Sequence, residues 1–148
     1  MSIAVDTNIL LHCVNNKSPY HDKANGFLHG LLAEGTPWCL TWGTIYEFLR
    51  VSTHRRAFPE PLTWQQATRF LDVLLDREEV SVLTPTGQHW TTLNRTLTEV
   101  SPPAGNLFHD ISTAVILREH GIREIATADA DFLQFRFLKV VNPLLNSA

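Results

Sequence analysis

The chain has 148 residues, 44% of them hydrophobic and 18% charged, a balance that excludes a disordered chain and suits one domain spanning 1–148. Its formal net charge is −3 and its pI about 6.1, so any surface that meets a polyanion must be a local patch. Cys13 and Cys39 have neither paired nor metal-like spacing, which excludes a disulfide framework and a zinc site.

Residues 2–5 read as a short buried strand at the start of the chain. Asp6, Thr7 and Asn8 then break the apolar run and offer N-cap chemistry for a helix through Leu11 and Val14. That break, with no basic leader before it, argues against a signal peptide. No apolar run approaches the ~20 residues of a membrane span, so we expect a soluble, cytoplasmic protein that contacts no membrane. A second helix starts near Pro19 and Tyr20, runs to Ala33 and closes at Gly35. Residues 38–42 form the next apolar run, and residues 44–51 a helix. The prolines and polar residues of 52–61 mark a loop.

Thr63 caps a helix whose apolar positions Ala67, Phe70, Leu71, Leu74 and Leu75 have helical spacing. Residues 80–83 read as a strand, and 86–98 as a helix broken by Ser101, Pro102 and Pro103. A helix from Leu107 to Glu119 ends at Gly121, followed by strands at 124–127 and 139–142. Short apolar strands, about five in number, alternate with helices. That order predicts an α/β fold with a parallel sheet covered by helices on both faces.

In such a sheet, ligands bind beyond the carboxyl ends of the strands. Asp6 follows the first strand and Asp129 the fourth. Glu47 lies in the helix after the second strand, and Asp110 in the first turn of the helix before the fourth. Asp110 shares a helical stripe with Asn106, Thr113 and Leu117 that borders an apolar face, so it should be half-buried. Carboxylates gathered in this way need a cation. Without histidine or cysteine partners they suit Mg²⁺ or Mn²⁺, and the chemistry is metal-assisted phosphodiester hydrolysis. Each acid alone also admits a structural role. Asp6 could be an N-cap, Glu47 a solvated glutamate, Asp110 a helix-dipole partner, Asp129 a turn residue and Asp131 the cap of a short helix.

Several segments together resemble the PIN domain. They are Val5 to Leu10 (Val-Asp-Thr-Asn-Ile-Leu), the mid-chain helical Glu47, Asn106 followed by Asp110, and Thr127 to Phe132 (Thr-Ala-Asp-Ala-Asp-Phe). With the ending Phe135 to Leu144, nearly the whole chain resembles the VapC-type toxins of prokaryotic toxin–antitoxin pairs. The resemblance implies a three-layer α/β/α sandwich with a five-stranded parallel sheet. It implies an endoribonuclease dependent on Mg²⁺ or Mn²⁺, a homodimer, and inhibition by a cognate antitoxin. By position Asp6, Glu47, Asp110 and Asp129 match the family's catalytic acids, with Asp6, Asp110 and Asp129 as metal ligands. Asn8 and Thr127 match polar residues that hold the site, and Asp131 a further acidic position. Transfer RNA and ribosomal RNA are both substrates that the family allows.

Basic residues would have to guide RNA past these acids. Arg50, Arg55 and Arg56, with His54, form the expected patch, and Lys17 and Lys23 are possible additions. Phe58, Trp42 or Trp38 could stack on an unpaired base. Other folds also place an aspartate after a first strand. A haloacid-dehalogenase phosphatase needs a second aspartate where this chain has Asn8, and a receiver module needs paired early acids. A catalytically inactive PIN module that only binds protein or RNA is the remaining alternative, and the presence of all four acids argues against it.

Overall fold

The computed structural model describes residues 2–103 and 105–145. Strand β1 (Ile3–Val5) is followed by helices α1 (Thr7–Val14) and α2 (His21–Ala33), strand β2 (Trp38–Thr41) and helices α3 (Trp42–Ser52) and α4 (Trp64–Leu75). Strand β3 (Val80–Leu83), helices α5 (His89–Glu99) and α6 (Leu107–Glu119), strand β4 (Glu124–Ala126), a 3₁₀ turn (Ala130–Gln134) and strand β5 (Lys139–Val141) complete the chain. All strand pairs are parallel and the sheet order is β3-β2-β1-β4-β5. The expected five-stranded α/β/α sandwich is thus the observed one.

Alternation along the central strands sorts the core into two layers. Ile3, Val5, Trp38 and Leu40 point to one face, where α1, α2, α3 and α4 supply Ile9, Leu28, Phe48 and Leu71. Ala4, Cys39 and Ile125 point to the other, under Ile111, Val115 and Leu117 of α6 and under Phe132 and Phe135. Those three α6 side chains are fully buried. Each contributes about 1.5–3 kcal/mol of burial, which fixes the rotation of α6 about its axis. Both cysteines are free and buried.

Register then sets the position of the polar residues. Val5 lies opposite Ala126 across β1 and β4, so the next residues, Asp6 and Thr127, emerge side by side at the carboxyl edge. The Asp6 N–H donates to the Ala126 carbonyl at 3.0 Å, which extends the ladder by one rung.

Several boundaries shift by one to three residues, and three of the differences have a visible cause. Trp42 does not continue β2. Thr41 caps α3 through its hydroxyl, which accepts from the Thr44 N–H at 3.2 Å, so the helix begins at Trp42 and that indole is exposed. The cap of the 3₁₀ turn is Asp129 and not Asp131: the Asp131 N–H donates to the Asp129 carboxylate at 2.9 Å. Helix α5 starts at His89, because Gly87 and Gln88 belong to the turn before it. Two positive-φ glycines close helices as expected, Gly35 after α2 (φ 65°) and Gly121 after α6 (φ 70°). Among the described residues no helix is long and apolar enough to cross a membrane.

Candidate metal centre and RNA cleft

Three segments converge at the carboxyl edge of β1 and β4. The innermost is a hydrogen-bond network built on Asp6. Its Oδ1 accepts from the Thr7 N–H at 2.8 Å. Its Oδ2 accepts from the Thr127 hydroxyl at 2.8 Å and from the Asn8 amide at 3.1 Å. Thr127 Oγ1 also accepts from Asn8 Nδ2 at 3.1 Å and from the Asp129 N–H at 3.0 Å. Asn8 Oδ1 accepts from the Ala128 N–H at 3.0 Å. Asn8 and Thr127 therefore lace the end of β1 to the segment after β4, and Thr127 is buried. Asp6 is both the N-cap of α1 and a member of the acidic edge, so the two roles weighed from the sequence are compatible.

The outer group is purely acidic. Carboxylate oxygens of Asp110, Asp129 and Asp131 lie within 4.8 Å of one another. Asp110 reaches this point from the first turn of α6. Its apolar neighbour Ile111 is anchored in the core, and Asp110 itself is half-buried as its stripe predicted. Asp131 belongs to this triple, whereas Asp6 lies deeper and outside it. Asp6, Glu47, Asp110 and Asp129 nevertheless share the wall of one small cleft of about 210 Å³. An adjoining cleft of about 540 Å³ is lined by Glu47, Arg50, Asn106, His109, Asp110, Asp129 and Asp131.

Electrostatics records the crowding. Burial pushes the Asp110 carboxyl up to about 7, and the charges of Asp129, Asp6 and Asp131 add to it. Asp6 is also raised, first by burial and then by Asp129. Its hydrogen bonds from Thr127 and Thr7, with His109 nearby, pull the other way. Three close oxygens with no basic side chain among them form an all-oxygen donor set, the type that a hard divalent cation accepts. Zinc would look for nitrogen or sulfur here and find none in the triple.

Glu47 is held differently. From the second turn of α3 it faces the cleft, and Arg50 grips it through two bonds, Nη2 to Oε1 at 2.6 Å and Nε to Oε2 at 3.2 Å. The Arg50 hydrogen bond holds the Glu47 carboxyl below its ordinary value. Arg50 thus stands at the cleft as expected, already engaged by Glu47. Arg55 and Arg56 are exposed in the turn after α3, where the Arg56 N–H donates to His54 Nδ1 at 3.0 Å. The possible additions to this patch have other partners. Lys17 pairs with Glu60 at 2.9 Å, and Lys23 donates to the Leu144 carbonyl at 3.3 Å. Two of the three stacking candidates are unavailable: Trp38 and Phe58 are core residues, since β2 is buried on both faces and the loop folds Phe58 inward.

His109 is the residue at the site to which sequence reasoning gave no place. It lines both clefts and lies over Gly43, where a Cβ would stand 3.8 Å from its Cε1. Its position directly before Asp110 was the only sequence signal, and a first-turn residue can face either way.

Comparison with known proteins places the chain in a family. The PIN domain family model matches residues 3–138. Ribonuclease VapC48 of Mycobacterium tuberculosis is 30% identical over 143 residues, covering 97% of this chain and 98% of that protein. Ribonuclease VapC37 of the same organism is 31% identical over 139 residues, covering 94% and 95%. Among solved structures, VapBC2 from Rickettsia felis, bound to a DNA fragment from its promoter, aligns with a TM-score of 0.70 at 18% identity, covering 96% and 98%. Mycobacterium tuberculosis VapC20, described as a sarcin–ricin loop cleaving toxin, aligns with a TM-score of 0.63 at 20% identity, covering 88% and 92%. At those identities the structures speak for the fold, and the family rests on the domain match and the full-length relatives: this chain belongs to the PIN-domain family, alongside proteins named VapC ribonucleases.

Proposed function

We propose that the chain is a divalent-metal-dependent endoribonuclease acting as the toxin of a toxin–antitoxin pair, with 1–148 as one domain. The observation that carries this reading is the convergence of Asp110, Asp129 and Asp131 within 4.8 Å beside Asp6 and Glu47. Such a cluster is electrostatically costly without a cation, and Asp110 registers that cost. Asp110 and Asp129 would hold Mg²⁺ or Mn²⁺, with Asp6 on the deep side and Asp131 at the mouth. The ion, when bound, supplies an activated water and neutralises charge on the phosphate.

The chain's own residues have distinct tasks in this scheme. Thr127 and Asn8 fix the Asp6 carboxylate and keep it from turning. Glu47, gripped by Arg50, keeps an ionised carboxylate at the side of the cleft. Arg50, Arg55 and Arg56 steer the RNA backbone past the acids. The relatives' names and the VapBC neighbours support an antitoxin protein as partner; a homodimer in the cytoplasm is what the resemblance to VapC-type toxins implies. Transfer RNA and ribosomal RNA both remain candidates for the substrate.

The test uses the purified chain, free of antitoxin, with total RNA in Mg²⁺, Mn²⁺ or EDTA. Cleavage is expected with either metal and should be lost in EDTA and in Asp6→Ala and Asp110→Ala. Cleavage that survives chelation or either substitution sinks the metal–carboxylate reading. No cleavage and no metal binding would favour the inactive binding module.

A further inference from the structure

Helix α3 carries two adjacent stripes. Gly43 and Glu47, four residues apart, face the acidic cleft. One residue earlier, about 100° round the helix, stand Trp42, Tyr46 and Arg50, again four apart. Trp42 is 48% exposed and Tyr46 69% exposed. Trp64 and Trp90 are exposed as well, but α4 and α5 contribute nothing to the cleft. The α3 pair flanks Glu47 on the helix that borders the candidate centre, and its stripe runs on through Arg50 to the exposed His54, Arg55 and Arg56. Phe108, 48% exposed beside His109, is the other exposed aromatic near the cleft among the described residues but has no such run of cations after it.

We propose that this outer ridge of α3 is a stacking subsite for unpaired nucleobases of the RNA, Trp42 and Tyr46 taking base faces while Arg50, Arg55 and Arg56 follow the backbone. The proposal rests on the ribonuclease reading above and adds the part of the substrate that the acids cannot recognise. Aromatic faces bordered by cations are the usual platform for single-stranded nucleic acid, because every base offers a π-face. Of the aromatics expected to stack, the buried Trp38 and Phe58 cannot serve and Trp42 remains, with the exposed Tyr46 one turn further along the same stripe. A second copy of the chain is the less favoured occupant. Two aromatic rings supply at most about 150–250 Å² each, against the ~800 Å² per partner of a stable interface. The charge that follows them, from His54 to Arg56, suits a polyanion better than another copy of an acidic chain.

The test measures binding without cleavage. Full-length protein carrying Asp110→Asn is titrated, in Mg²⁺, against a labelled unstructured ribo-oligonucleotide by fluorescence anisotropy. Adding Trp42→Ala or Tyr46→Ala should weaken binding by about fivefold or more, the lower end for one lost stacked base. Trp42→Phe should retain most of the affinity, and the salt slope should not change, since no cation is removed. An abasic position in the oligonucleotide should abolish the difference between parent and Ala variant, which a general structural effect would not do. Tyr46→Ser, at the more exposed position, gives an independent reading where Trp42→Ala melts early. Affinities within about twofold of the parent for both residues would overturn the subsite. So would a loss of affinity that accompanies conversion of a dimer to a monomer in light scattering, which would assign the ridge to contact between copies. Wild-type protein that neither binds nor cleaves RNA in Mg²⁺ overturns the ribonuclease reading as well, whereas wild-type cleavage with unchanged binding in the Ala variants overturns the subsite alone, so the two failures are distinguishable.

Discussion

Asp110→Asn should make the metal-free protein more stable while it abolishes cleavage. The substitution keeps the shape of the side chain and removes one charge from a triple whose oxygens lie within 4.8 Å. Raising a carboxyl from 3.8 to about 7 corresponds to a ceiling of about 4 kcal/mol. Asp110 is only half-buried, so solvent screening reduces this to about 1–2 kcal/mol. In a chain of this size that is about 3–6 °C in Tm. The sign follows from linkage. A carboxyl raised in the folded state costs nothing below its unfolded value of 3.8, and its cost grows as pH rises towards about 7. The gain from Asp110→Asn should therefore be largest at about pH 8 and vanish towards about pH 4. Thermal melts in EDTA across that range measure it. Adding Mg²⁺ should then stabilise the parent and not the variant. A variant that melts at or below the parent at about pH 8 in EDTA would refute the claim that these acids repel one another.

Thr127→Val keeps the volume but removes the hydroxyl that serves Asp6, Asn8 and Asp129. It should cost about 1–3 kcal/mol in a denaturant titration and reduce kcat, because Asp6 loses a donor while buried. Glu47→Gln releases Arg50 from its clamp, so RNA affinity should rise and its salt dependence steepen while kcat falls; a kcat against KM comparison reads both. Thr63→Ala breaks the capping box that closes with Gln66 at the start of α4, and should cost about 1 kcal/mol by thermal melt with cleavage unchanged.

Much of this architecture was legible because apolar runs and chain order decide it. Strand β3 and helix α6 match their expected limits residue for residue, since turns bound the first and Gly121 closes the second. Asp6 and Asp129 were legible for the same reason: each follows a strand, and the β1–β4 register makes them neighbours. What escaped depends on contacts distant in sequence or on side-chain direction. The burial of Phe58 arises from the fold of a proline-rich loop, and Trp42 left the strand because Thr41 supplied a cap. Spacing allowed the Glu47–Arg50 pair, three residues apart on one helix, without requiring it. Asp131 entered the acidic triple because Asp129 took the capping role and turned the next acid back towards Asp110. His109 could not be assigned, since only the packing of α6 over Gly43 decides where its ring lies.

In the proposed reaction these carboxylates hold a metal that directs water at an RNA phosphodiester. Mapping the ends of RNA cut by the purified chain tests it most directly. Cleavage is expected in Mg²⁺ or Mn²⁺ and should disappear in EDTA and in Asp110→Asn, with fragments free of 2′,3′-cyclic phosphate. Cyclic ends would mean that the ribose hydroxyl and not water is the nucleophile, and cleavage undiminished by EDTA would mean that no metal is needed; either result would contradict the role given to Asp110, Asp129 and Asp131.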